Sequence, residues 1–159
     1  MNKIFLSVFG LFVLAFPNLG MAKMISGRIQ MIDADSAYVG GAEIRLGGVD
    51  APEWSQICTL NGQDWMAGQK ATAWAISFVG NGRATCHAET RDRYGRYIAT
   101  CTVDGRNLNE SLVRSGWAFA YRHYSKRYVA AENAARAEHI GIWRGRCQAP
   151  WTWRHTHPR

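Results

Sequence analysis

Residues 43–54 read Glu-Ile-Arg-Leu-Gly-Gly-Val-Asp-Ala-Pro-Glu-Trp and place one guanidinium ahead of two carboxylates that follow a Gly-Gly break. Arg45 lies in a short apolar run; Asp50 and Glu53 follow the Gly47-Gly48 break. Pro52 fixes its own φ and disfavours helix at Ala51, so the two acids stand on a stiff extended corner. A base and two acids held with so little freedom are parts of a site that handles phosphate. A guanidinium matches phosphate oxygens bidentately and does not lose its charge. A carboxylate such as Glu53 is ionised at neutral pH and can accept the proton of an attacking water.

These groups need a scaffold. Residues 25–32 alternate loosely and are rich in β-formers, which predicts a strand; 33–36 form a turn, and short strands follow at 37–39 and 43–46, a meander with tight turns. Residues 54–66 read as an irregular loop. The spacing of Ala71, Trp74, Ala75 and Phe78 predicts a helix over 67–79, stopped by Gly80-Asn81-Gly82. Strands are expected at 83–88 and 97–103 around a polar loop. A helix over 108–115 has Asn107 as its N-cap and Glu110 as capping-box partner. Another runs over 126–139, ended by Gly141. The tail is basic and aromatic without periodicity, and a disordered segment is expected there. The whole suggests an α+β fold: a five-stranded, OB-like β-barrel with three packed helices.

The chain has 159 residues, enough for one domain with a real core. Lys3, the apolar run to Phe16 and the small residues Gly20-Met21-Ala22 read as a signal peptide over 1–22. The alternative, an uncleaved anchor, meets a run that is short for a full span. Residues 23–146 are then the folded domain and 147–159 a tail. Loss of Lys3 takes the formal charge from +7 to +6, which suits nucleic acid, anionic lipid or acidic polysaccharide. Export gives the cysteines a meaning: four in an oxidising compartment suggest two disulfides, and none has the C-x-x-C spacing of structural zinc. If the hairpin turns about Arg93-Tyr94, Cys86 faces Cys101, which makes a cross-strand disulfide; Cys58 and Cys147 pair by elimination. The five histidines show no metal spacing before the tail. Trp74, Trp117 and Trp143 suit a core, whereas Trp54, beside Glu53, is placed to meet a substrate.

Four strings complete the picture: IDADS at 32–36, IRLGGVDAPE at 44–53, DRYGR at 92–96 and LNESLVRSGWA at 108–118. In this order and spacing the chain resembles the staphylococcal nuclease (thermonuclease-like) family, from about Ile29 to Trp143. The resemblance implies a calcium-dependent phosphodiesterase on an OB-type barrel, acting on DNA and RNA and leaving 3′-phosphate ends. It implies Asp35 and Asp50 as Ca2+ carboxylates with the Ala51 carbonyl as main-chain ligand, and Glu53 as the carboxylate that activates water. Arg45 and Arg96 match the arginines on the scissile phosphate, and Tyr94 and Tyr121 match nucleotide contacts. Two aspartates, a carbonyl, waters and a phosphate are a sensible set for a hard cation that wants six to eight oxygens. The chain departs from the pattern in a Cys- and Trp-containing loop after Glu53, where the staphylococcal enzyme has lysines, and in Ala51, which offers no hydroxyl.

Taken singly, Asp35 is an ordinary turn residue, Arg45 and Glu53 a surface ion pair, and Arg96 one more basic residue. The alternatives are an OB-fold module that binds nucleic acid without cutting it, and an envelope protein using its basic face on anionic surfaces. The expectation is an exported nuclease, periplasmic or extracellular, a monomer, with no stable membrane association after signal cleavage.

Overall fold

The computed structural model describes residues 23–158. The expected signal segment lies outside the described residues. In chain order, β1 (Lys23–Met31), β2 (Ser36–Val39) and β3 (Ala42–Leu46) form the meander. A short β4 (Val49–Asp50) precedes a hairpin of β5 (Ile57–Leu60) and β6 (Gln63–Met66). Then come α1 (Ala67–Val79), β7 (Arg83–Arg91), β8 (Tyr97–Val103), β9 (Arg106–Asn107) and α2 (Leu108–Arg114). The chain ends in β10 (Phe119–Ala120), α3 (Val129–Ala137), a 3-10 turn (Gly141–Arg144) and α4 (Pro150–Thr156).

Ile25 and Ile29 on β1 face the core, as alternation requires. The first half of β1 pairs antiparallel with β7 and its last residues with β2. β2 pairs with β3, and β3 pairs in parallel with β8, Ile44 opposite Tyr97 and Leu46 opposite Ala99. This last pairing closes the five barrel strands β1, β2, β3, β7 and β8. The β1–β2, β2–β3 and β7–β8 pairs follow from short turns, whereas the β1–β7 pair and the parallel β3–β8 contact both need the long connection through α1. Buried Asn109 on α2 locks the closure: its side-chain oxygen accepts from the Cys101 N–H at 3.0 Å, and its amide donates to the Gly47 and Ala99 carbonyls at 3.0 Å each.

Ala67, Ala71, Ala75 and Val79 form the buried stripe of α1, and small side chains let the helix lie close to the barrel. Leu108, Leu112 and Val113 bury the inner face of α2, capped by the Asn107 side chain accepting from the Glu110 N–H at 3.1 Å. A second small core gathers Cys58, Ala67, Phe119 and Ile142, with Trp65, Trp117, Trp143 and Trp151 packed against it. Cys58 is bonded to Cys147 here, and Cys86 to Cys101 across β7 and β8.

The barrel is the expected OB-type α+β architecture, with four helices rather than three. Residues 54–66 are not an irregular loop: Asn61 and Gly62, both at positive φ, turn β5 into β6, the conformation a tight two-residue hairpin turn requires. α3 is shorter than expected because 126–128 are spent on a turn. The largest correction concerns the tail. Thr59 and Arg146 exchange backbone hydrogen bonds at 2.9 and 2.8 Å, the adjacent disulfide pins the strand, and Pro150 starts α4 at a position where its missing N–H costs nothing.

Candidate active site

Asp35 sits in the turn between β1 and β2, Arg45 on β3, Asp50 on β4 and Glu53 on the corner that follows. The barrel wall brings the first three together. The Arg45 guanidinium donates to Asp35 Oδ1 and, at 2.7 Å, to Asp50 Oδ1. Asp35 Oδ2 accepts from the Ala51 N–H at 2.8 Å, so the Asp50–Ala51 corner is held by the same carboxylate. Both aspartates are buried.

Glu53 is set by its backbone. Its N–H donates to Gln56 Oε1 at 3.2 Å, and its carbonyl accepts from the Gln56 N–H at 2.7 Å. Gln56, fully buried, donates its amide to the Gln148 carbonyl at 2.7 Å. This clamp ties the Glu53 corner to the C-terminal segment.

That segment delivers a third guanidinium. Arg154 on α4 donates to Glu53 Oε1 at 2.8 Å, to Asp50 Oδ1 at 3.1 Å and to Asp50 Oδ2 at 2.9 Å. The helix is seated by Trp151, which stacks on Tyr121 with ring centroids 5.3 Å apart and planes 6° from parallel, and meets Phe119 edge-on at 5.5 Å. Glu53, Trp54, Trp153 and His157 line an open cleft of about 610 Å3 beside the corner. Trp54 is 57% exposed there.

Arg96 stands apart from this cluster. Its guanidinium pairs with Asp92 in its own loop at 2.7 Å and donates to Ser36 Oγ at 3.5 Å; that hydroxyl in turn lies 3.4 Å from Asp35 Oδ1. One reorientation separates Arg96 from the aspartates. Tyr94, beneath the Arg96 guanidinium at 5.6 Å from the ring centroid, is exposed on the rim. Tyr121 lies with its ring stacked on Trp151. The described residues therefore join Asp35, Arg45, Asp50, Ala51 and Glu53, place Arg96 one hydroxyl away, and put Tyr94 on the rim and Tyr121 against Trp151.

The electrostatics follow from burial. Desolvation pushes the Asp35 carboxyl up, to about 8, against the pull of Arg45, and Asp33 and Asp50 add to the rise. Burial works to lower the Arg45 and Arg154 guanidinium pKa values, but the acids each one faces hold both above the ordinary range. Burial and the charge on Asp50 raise the Tyr121 phenol. Burial opposes ionisation of Asp92, yet hydrogen bonds from Arg96 keep its carboxyl below the usual range.

Three acids face two guanidinium groups, so the cluster is short of positive charge when fully ionised. Hard oxygen donors with excess negative charge fit a hard cation. Asp35 and Asp50, with the Ala51 carbonyl, are the residues that would hold it. Among the described residues no three His, Cys, Asp or Glu side chains are arranged as a metal cage, because arginines fill the space between these carboxylates.

Arg154 and Gln56 had no signal in the motif order. Arg154 lies in the aperiodic tail, where only Ala149-Pro150 hinted at a helix start.

An OB-type barrel with buried aspartates, an arginine between them and a glutamate on the adjoining corner defines a class. Residues 43–145 match the sequence model of the staphylococcal nuclease homologue family, and the chain belongs to that family. It is 36% identical over 129 residues to a succinoglycan biosynthesis protein, ExoI, of Rhizobium meliloti (strain 1021), covering 79% of this chain and 68% of that protein. It is 33% identical to an uncharacterized endonuclease of Escherichia coli O157:H7, covering 91% of this chain and 94% of the relative. It is 31% identical to the staphylococcal-like nuclease CAN1 of Arabidopsis thaliana, over 70% of this chain but only 32% of the plant protein.

Proposed function

We propose that the chain is a calcium-dependent phosphodiesterase that cuts DNA and/or RNA and leaves 3′-phosphate ends. One observation carries the reading: Arg45 bridges Asp35 and Asp50, and the same Asp50 carboxylate shares a guanidinium with Glu53. Acid pair, proton acceptor and phosphate-binding arginine thus meet at one point. The endonuclease and nuclease names of the relatives point the same way.

Calcium held by Asp35, Asp50 and the Ala51 carbonyl would supply positive charge to the phosphate and to the attacking water. Glu53 takes one proton from that water. The water oxygen forms a bond to phosphorus, the bond from phosphorus to the 5′-oxygen breaks, and the leaving oxygen takes a proton from solvent water and departs as the alcohol. Arg45 and Arg96 bind the equatorial oxygens, where negative charge grows in the transition state; stabilising that charge is the larger share of the acceleration. Tyr94 and Tyr121 contact the nucleotide.

Export into an oxidising compartment is supported by the two disulfides. Among the described residues no helix is long and apolar enough to cross a membrane. We place the protein in the periplasm or the medium as a monomer without stable membrane association.

The test uses the mature chain with single- or double-stranded DNA, in calcium or in chelator. Cutting is expected with calcium only, and Glu53→Gln should bind nucleotide yet not cut. Binding without cutting by wild type would make the protein a binding module.

A further inference from the structure

We infer that Arg154 is a built-in counter-cation that competes with the divalent cation for Asp50 and Glu53, so that α4 gates the site. The inference rests on the proposed nuclease reading, in which these carboxylates serve the metal and the attacking water.

The geometry is that of a plug. Asp50 Oδ2 accepts from Arg154, and Oδ1 accepts from both Arg45 and Arg154. The same guanidinium nitrogen that reaches Oδ1 also reaches Glu53 Oε1. Both Asp50 oxygens face arginine, and a cation coordinated there would lie against the guanidinium. Two positive charges at that separation in a partly buried place repel strongly. Arg45 reaches only Oδ1, so Arg154 must release Oδ2 before a cation can be coordinated by that oxygen.

The tail is built to bring this about without leaving. Its root is fixed by the Cys58–Cys147 bond, by the Thr59–Arg146 backbone pair and by the Gln56–Gln148 hydrogen bond. Beyond that root α4 is seven residues long. The Trp151 ring lies flat on Tyr121, covering a face of the ring that contacts nucleotide in the proposed reading. A tethered arginine has a high effective concentration, so it lowers the apparent affinity of any competitor while staying displaceable. Cation and nucleotide each compete with one contact of α4, the Arg154–Asp50 pair and the Trp151–Tyr121 stack, so each favours the other.

The experiment is calorimetric titration of Ca2+ alone into the mature chain and into its Arg154→Gln variant. Arg154 is 35% exposed and belongs to neither hydrophobic cluster. The expected result is a Kd at least fivefold lower in Arg154→Gln, and a smaller shift in the same direction in Trp151→Ala, which carries the test if the first variant fails to fold. An unchanged or higher Kd in Arg154→Gln overturns the inference; if wild type still cuts DNA with calcium, the nuclease reading survives that result. No calcium binding by either chain overturns the inference and removes the calcium-dependent reading with it.

Discussion

A methyl group on Gly68 would fall 1.7 Å from the Glu53 carbonyl oxygen and 2.8 Å from Trp54 Cα. The first turn of α1 thus lies directly on the Glu53 corner, and only a residue without a side chain allows the approach. Gly68→Ala must push the helix and the corner apart. The Glu53 carboxylate would move with its backbone, and displacement of a reacting group by about 1 Å can cost about a hundredfold in rate. We expect Gly68→Ala to lower Tm by several degrees and turnover by at least about tenfold, whereas exposed Lys70→Ala on the same helix should stay within about 0.5 kcal/mol of wild type. Thermal melts and a turnover assay on both variants decide it. Normal turnover in Gly68→Ala would show that the corner does not depend on α1.

Arg45 and Arg96 belong to the same proposed reaction but stand in different surroundings. Arg45 is the counter-charge for two buried aspartates, so Arg45→Ala leaves Asp35 and Asp50 facing each other and should cost about 3–5 kcal/mol of stability as well as turnover. Arg96 pairs with Asp92, an acid that keeps 17% of its side-chain surface in water where Asp35 and Asp50 keep 4% and 0%, and Arg96→Ala should leave stability within about 1 kcal/mol. Its turnover should nevertheless fall by at least about tenfold, through lost stabilisation of the transition-state charge. Denaturant unfolding beside kinetics separates the two. Equal stability losses in the two variants would contradict the contrast in burial.

How far the sequence carries can be judged element by element. The helix expected over 67–79 and the strand over 97–103 have the observed bounds, because their apolar periodicity runs undisturbed into glycine or a turn. The pairing that sets Cys86 opposite Cys101 holds as far as Ala88 opposite Ala99, and then a bulge before Thr90 shifts the register by one. Bulges carry no reliable sequence mark. The β5–β6 hairpin was legible in Asn61-Gly62, a strong hairpin signal, but the flanking strands alternate poorly because they pack on an aromatic cluster rather than on the barrel. Arg154 was beyond reach for a physical reason: a seven-residue helix has too few turns to show a period. Asp35, Arg45 and Asp50 meet because the meander and the short β4 hold them within one local span of chain, the span whose strings carry the family resemblance.

Burial of Asp35 has a consequence for pH in the calcium-free protein. Its carboxyl is raised from 3.8 to about 8. Below about pH 4 the folded and unfolded chains both hold this proton, and its contribution to stability is fully present. Between about 4 and 8 the unfolded chain gives the proton up while the folded chain keeps it, so stability falls as pH rises, by at most about 1.4 kcal/mol per pH unit. Asp92, whose carboxyl is lowered, contributes in the opposite sense, but its window lies below the ordinary carboxylate range and does not overlap. Denaturant unfolding in chelator from pH 5 to pH 8 should show the decline in wild type, and Asp35→Asn should flatten it. A wild-type profile parallel to that of Asp35→Asn would mean that Arg45 keeps Asp35 ionised throughout.

The two disulfides should differ in what their loss does. Cys86–Cys101 joins neighbouring strands only 15 residues apart, within a ladder that persists without it. Cys58–Cys147 closes a span of 89 residues and pins the root of the arginine-bearing tail. Chain entropy assigns about 3 kcal/mol to the shorter loop and more than 4 kcal/mol to the longer. Stability alone separates the pairs by little, but cation affinity should separate them clearly. Cys58→Ser with Cys147→Ser frees the segment that holds Arg154 over Asp50, so calcium should bind more tightly, approaching the Kd of Arg154→Gln. Cys86→Ala with Cys101→Ala leaves the tail rooted, and its calcium Kd should match wild type. Titration of both double variants with calcium, beside their unfolding curves, measures this directly. Equal Kd values in the two would show that the disulfide at 147 stabilises the fold without governing access to the carboxylates.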